Sequence, residues 1–265
     1  MKYKQRKVKM SPEEYHALVF DPGWKQEYRD GHLYLSPRHV RAIGKVRLEA
    51  QEVQAPYPLR SVNAEDRESL IDLYLAAFAE TVHYFYVERE DVLKHAQQDL
   101  DIFFSGQRGA PLLTASRVAL HRDRIIGAAL FNEGHLKSPL LYLLFVAPDF
   151  RQRGIARAMA QAAMNTLRAD GHRFVRSQYD LGNHESRAWH NQMGFVEEPD
   201  WQVYRLLAHE AESLVRQHEQ QADLPATEIE MLRKKCADLQ AKRATLERLI
   251  DLFGYDAIDA HLGIK

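Results

Sequence analysis

Residues 146–156, Val146-Ala147-Pro148-Asp149-Phe150-Arg151-Gln152-Arg153-Gly154-Ile155-Ala156, carry the types and spacing needed to hold a phosphorylated ligand. An apolar run leads into a turn, and a glycine stands where a helical pattern begins. The first N–H groups of a helix have no partner within it, and the helix dipole makes that end positive. A pyrophosphate placed there satisfies several donors at once. Gly154 has no Cβ to obstruct it, Ala156 is nearly as small, and Arg151 and Arg153 offer charge-assisted donors. The competing reading is a strand-to-helix junction capped by water.

The elements around this segment follow from periodicity. Pro139–Val146 (PLLYLLFV) is almost unbroken in its apolar character, as in a central strand buried on both faces. Residues 155–169 place Ile155, Met159, Ala162, Ala163, Thr166 and Leu167 on one stripe, and Asp170-Gly171 ends that helix. Residues 64–80 form a second helix, with Leu70, Leu73, Tyr74, Ala77 and Phe78 on one face. Strands are expected at 112–120, 124–131, 174–180 and finally 201–206. A short helix is expected at 186–193, stopped by Gly194. The whole is a mixed α/β layer, in α+β terms a mixed central sheet flanked by helices, with one strand-loop-helix unit at its centre.

Two extensions flank this core, which gives three expected domains at 1–58, 59–208 and 209–265. In the first, Ser11-Pro12-Glu13-Glu14 begins a helix through an N-cap serine, an N1 proline and acids near the positive dipole end. That helix is expected to reach Asp21-Pro22-Gly23. Asp30-Gly31 then suits a tight hairpin. Ala55-Pro56-Tyr57-Pro58 reads as an extended connector. In the last extension, Leu232, Leu239, Leu246 and Phe253 recur every seven residues, with Ile229, Cys236, Arg243 and Ile250 at the accompanying positions. This is a coiled-coil seam. Its partner is either the helix at 210–221, folded back across Asp223-Leu224-Pro225, or a second copy of the chain in a homodimer.

Composition excludes several functions. Lys plus Arg is 36 against 37 Asp plus Glu, so no global field recruits nucleic acid or an anionic membrane. Five bases do fall within residues 2–9, which reads as a solvated terminal arm. Cys236 is the single cysteine, so neither an intramolecular disulfide nor a cysteine-based metal site forms, and no metal is expected. No apolar stretch reaches spanning length, and no hydrophobic signal segment follows the basic start. A cytoplasmic protein is expected.

The 146–156 segment is similar to the acetyl-CoA-binding motif of the GNAT superfamily of N-acetyltransferases, V-x-P-x-x-[RQ]-x-x-G-x-[GA]. Val146, Pro148, Arg151, Gly154 and Ala156 fill its positions. A second block of that family follows in Asn183, Ser186 and Gly194-Phe195, and the resemblance covers residues 59–207. It implies a GNAT-like fold with acetyl-CoA (CoA) as the acyl donor. The backbone of Phe145 and Val146 would bond the pantetheine arm. The N–H groups of Gln152, Arg153, Gly154, Ile155 and Ala156 would cradle the pyrophosphate, and Asn183 and Ser186 would contact the cofactor further on. Where the family commonly has a tyrosine that protonates the departing thiolate, this chain has His190. Histidine suits that role because its pKa lies near operating pH.

The general base is less defined. Many relatives place a carboxylate on the strand equivalent to Pro139–Val146, which has none here. Glu133 acting through water is the candidate, with His135 beside it, and proximity alone is the alternative. His83-Tyr84-Phe85-Tyr86 either lines the acceptor cleft or packs in the core. The function implied is acetyl transfer to a primary amine of a small molecule or peptide by direct attack in a ternary complex. The alternative is a catalytically silent acyl-CoA-binding module that recruits a protein or nucleic acid. Residues 10–37 also resemble the opening of a restriction-endonuclease-like family. The later metal-binding positions of that family have no counterpart, so the segment reads as a docking hairpin.

Overall fold

The computed structural model describes residues 6–79, 84, 87–134, 137–221 and 226–253. They divide into two compact units, one of residues 43–178 and 189–196, the other of residues 1–42, 179–188 and 197–265. Of the expected features, residues 1–5 of the basic arm, His83, Phe85, Tyr86, His135 and the 223–225 turn lie outside the described residues.

The first unit is built on a seven-stranded sheet. Its strands are β4 (Arg41–Arg47), β5 (Leu59–Ser61), β6 (Arg117–His121), β7 (Arg124–Glu133), β8 (Pro139–Val146), β9 (Phe174–Asp180) and β10 (Val196–Glu197), in the order β10-β4-β9-β8-β7-β6-β5. Strands β5 to β8 are antiparallel neighbours, and β9 runs parallel to β8. Helices α2 (Arg67–Phe78) and α3 (Arg89–Ser105) contribute Leu70, Tyr74, Ala96, Leu100 and Phe103 to one core, with Val118, Ala128, Leu130 and Phe145 from the sheet. Helix α4 (Ile155–Ala169) contributes Ile155, Met159, Ala163 and Leu167 to a second core with Ala129, Phe131, Leu141 and Val146. The sheet is thus mixed and covered by helices on both faces, as the apolar runs require.

Two strand expectations are corrected. Residues 112–120 form a strand only from Arg117, because Ala115 and Ser116 N–H groups both close a turn onto the Leu112 carbonyl. Residues 201–206 are not a strand. They begin helix α6 (Trp201–Gln221), capped by the Asp200 carboxylate at 2.8 Å from the Val203 amide. Trp201, Tyr204, Leu207, Ala208 and Ala211 follow helical spacing rather than the alternation of a strand, and the cap marks where the helix begins. The place beside β9 goes to β4, whose Ala42, Gly44 and Val46 are buried while alternate residues are not. Alternation of that kind defines a half-buried strand.

In the second unit, α1 (Pro12–His16) has a full capping box, with Ser11 and Glu14 each bonding the other's amide. It ends at His16 rather than near Asp21, and the chain instead places the Phe20 amide on Ser213 Oγ at 2.9 Å and the Phe20 ring on His209. Strands β2 (Trp24–Arg29) and β3 (His32–Pro37) form the hairpin expected at Asp30-Gly31, both of which have positive φ. Residues 6–9, expected to be a solvated arm, pair with β3 as β1 (Arg6–Lys9), since their amides find ladder partners there. Helix α6 packs against α7 (Ala226–Phe253), with Arg233 on Glu219 and Trp201 Nε1 on Glu247 running antiparallel. Leu239 and Leu246 are buried with Val203, Leu207 and Ala211, so the described seam faces its own chain. Arg243, the polar member of the seam, is neutralised by Glu247 one turn later. No helix among the described residues is long and apolar enough to cross a membrane.

Truncating a buried seam leucine should be costly. Leu246→Ala is expected to lower unfolding free energy by about 2–4 kcal/mol, whereas exposed Met231→Ala should change it by less than about 0.5 kcal/mol. Urea denaturation of both variants checks this, and equal effects would contradict the observed packing.

Candidate active site

Strands β8 and β9 pair only at Leu140 with Arg176 and Leu141 with Ser177. Beyond that point β8 keeps its partner on one edge and parts from its neighbour on the other. Tyr142, Leu143 and Leu144, in the middle of the central strand, are accordingly partly exposed. The pairing of β8 with β7 also shifts here. Leu141 faces Phe131 and Leu143 faces Leu130, which leaves Tyr142 as an extra residue. This is a β-bulge, a device that re-aims side chains and recurs beside active sites. Tyr142 and Leu143 both turn to the α2–α3 face, whereas Leu141 and Leu144 pack on the α4 side.

The register settles which amides face the opening. The Ala147 N–H bonds Ile126 O at 2.8 Å, so alternation gives Phe145 and Leu143 their backbone bonds to β7. Leu144 and Val146 therefore present theirs to the split. Phe145, expected to offer its backbone there, instead contributes its ring to the α2 side, near Tyr74 and Phe78.

The chain leaves β8 through a short 3-10 turn, Pro148–Phe150, and enters α4 at Gly154. Gln152 and Gly154 both have positive φ, 59° and 76°. A left-handed residue on either side of Arg153 makes a turn of the kind in which backbone N–H groups form a concave nest. A Cβ built on Gly154 would meet nothing within 4 Å, so the mouth of the helix is open and the glycine is required by its conformation. Both arginines hold the loop together. Arg151 donates to the carbonyls of Ala77, at the end of α2, and Val146. Arg153 donates to the Asp149 carbonyl and to the Tyr57 hydroxyl, with its guanidinium over Phe150.

His190, in α5 (His184–Gln192), is only 4% exposed, so it is no surface residue. Its Nε2 lies 2.8 Å from Ser177 Oγ, and the rings of Trp189 and Phe195 meet it edge to face. Ser177 is the last β9 residue paired with β8, which puts the Ser177–His190 pair at the apex of the split. Sequence reasoning missed Ser177, because a serine in a strand carries no local signal. Glu133 pairs with Pro139, on the closed side of the apex. It stands about 7 Å along the strand from the Phe131 level. Asn183 and Ser186 belong to the other unit, where the Asn183 carboxamide accepts the Ser186 amide at 3.0 Å and caps α5.

On the α2–α3 face, Tyr74 donates to Asp99 Oδ2 at 2.9 Å and meets the Tyr84 hydroxyl at 3.0 Å. Tyr142 donates to the Asp99 carbonyl at 3.4 Å. Burial, reinforced by the Asp99 charge, pushes the Tyr142 phenol up to about 12 and the Tyr74 phenol far above its ordinary value.

Residues 67–195 match the model described as the acetyltransferase (GNAT) family. The match covers slightly less than half of the chain. No curated protein matches the chain significantly. Similar solved structures include the PaiA N-acetyltransferase of Thermoplasma acidophilum in complex with coenzyme A, 17% identical over 54% of this chain and 91% of that one, with a TM-score of 0.45. A GNAT family acetyltransferase of Brucella melitensis in complex with acetyl-CoA is 19% identical over 54% and 84%, with a TM-score of 0.41. AAC(6')-Iy in complex with a bisubstrate analog, CoA-S-monomethyl-acetylneamine, is 21% identical over 54% and 92%, with a TM-score of 0.39.

Ser177→Ala should remove the hydroxyl that His190 Nε2 meets. The expected loss is about 1–3 kcal/mol of stability, read by chemical denaturation, and a change below the error of that measurement would argue against the pair.

Proposed function

We propose that the chain is an acetyl-CoA-dependent N-acetyltransferase whose donor occupies the split between β8 and β9. The observation that carries this reading is the split itself, lined by the amides of Leu144 and Val146 and continuous in sequence with the nest at Gln152–Gly154. Unpaired amides inside a sheet are costly unless something satisfies them. An amide-bearing pantetheine arm is the complement to a strand edge, and a pyrophosphate is the complement to the nest and the α4 N-terminus. The first-turn N–H groups of Ile155 and Ala156, with Gln152, Arg153 and Gly154 before them, form the phosphate cradle. Arg151 acts indirectly, by tying the loop to α2.

When bound, acetyl-CoA supplies an activated thioester carbonyl. An acceptor ammonium gives up a proton and its nitrogen forms the new C–N bond as the C–S bond breaks. The second nitrogen proton is lost, and the sulfur takes one, so the balance is acetylamide, CoA thiol and one released proton. His190, through the Ser177 hydroxyl at the apex, is the proton donor to the sulfur. Glu133, on the closed side of the apex, reaches the acceptor only through water, so we retain it as base in that form alone.

Calorimetric titration with CoA tests the reading, and a protein that takes up no CoA at millimolar concentration would sink it. Gly154→Glu should abolish binding, since a side chain and a negative charge enter the cradle. His190→Gln should cut turnover by about 100-fold with CoA affinity nearly unchanged. An unaltered rate removes His190 from the proton transfer.

A further inference from the structure

Asp99 is a carboxylate set among rings beside the one irregular point of the central strand. It sits on the inward side of α3, between Ala96 and Phe103, which are buried, and it is itself only partly covered. Oδ2 is occupied by the Tyr74 hydroxyl, whereas Oδ1 takes no hydrogen bond among the described residues. Tyr142, the extra residue of the bulge, hangs from the Asp99 carbonyl. Tyr74, Phe78 and Tyr84 form a mutually tilted cluster that continues to Phe145, and His95 lies against Tyr84. Arg108 approaches the Tyr142 hydroxyl from the loop after α3.

We propose that Asp99 is the ammonium-binding carboxylate of the acceptor site, and that the acceptor is a singly charged primary amine with an apolar or aromatic stem. The proposal rests on the acetyltransferase reading and deepens it. A partly buried carboxylate with one free oxygen is matched by one cationic donor, and the bond is charge-assisted. The surrounding rings supply apolar area and π-faces for the rest of the ligand. A polyamine would bring a second cation among those rings and towards Arg108, where no second free carboxylate oxygen is described. The bulge turns Tyr142 to this same face, so the bonded chain from Asp99 ends on the strand whose other edge lines the split.

Titration calorimetry of the full chain without CoA tests this, with phenethylamine, phenethyl alcohol and putrescine as probes. Phenethylamine should bind at least about tenfold more tightly than either of the others. Asp99→Asn should bring it to the level of the alcohol while leaving CoA affinity unchanged. No preference for the amine over the alcohol in the unmodified protein, or an unaltered amine affinity in Asp99→Asn, overturns the proposal. The unmodified comparison decides the matter even if the variant does not fold. Because the amine is measured without CoA, failure of CoA to bind overturns the acetyltransferase reading separately.

Discussion

The architecture of the sheet unit turns on one strand whose two edges are treated differently. Along β7, β8 is paired from end to end apart from the bulge at Tyr142, whereas along β9 it is paired for two residues and then left. A central strand normally has both edges filled, because a buried amide without a partner costs as much as a lost hydrogen bond. Here the interior edge is opened at the cost of amide pairing, and the opening is what a ligand with amides of its own would close. The bulge at Tyr142 belongs to the same event. One extra residue in β8 increases the local twist and helps carry the strand away from its neighbour.

The surroundings hold the opening in place from both ends. At the apex, Ser177 takes part in the last β8–β9 pair and binds His190, whose burial between Trp189 and Phe195 leaves it little rotational freedom. At the far end, Arg151 bonds the carbonyls of Val146 and Ala77, so one guanidinium links the end of β8 to the end of α2. The sequence motif suggests phosphate contact for this arginine. In the fold, its charge is spent on two carbonyls that carry the negative end of a helix and of a strand edge. Under the proposed reading, phosphate binding is left to backbone groups, which need no side-chain ordering when a ligand arrives.

Much of this was legible because its causes are local. PLLYLLFV has no alternation and so marks a strand covered on both faces, and the stripe from Ile155 to Leu167 has helical period over its full length. Gly154 is legible because its left-handed conformation excludes most other residues. The split is not legible, since it depends on where β9 stops pairing, and nothing in Phe174–Asp180 marks Ser177 as the last contact. The failure at 201–206 has a different origin. Six residues are too few to fix a period, and only Asp200 and the length of the following apolar stripe mark this stretch as the start of a helix.

That failure and the overlooked β4 are two sides of one arrangement. Arg41–Arg47 alternates in burial as a half-buried strand should, with Ala42, Gly44 and Val46 inward, and Arg41, Ile43, Lys45 and Arg47 less covered. Three bases and a glycine make this segment weak by propensity, so composition argues against a strand where periodicity argues for one. Packing against Val46 and Leu48 from Met193 and Phe195 decides the contest in the sheet unit. The N-terminal extension therefore does more than dock a hairpin. Residues 43–47 supply a strand inside the central sheet, between β9 and β10, and residues 201–206 take no place in it. A boundary drawn near residue 58 by linker composition separates segments in sequence that the sheet joins in space.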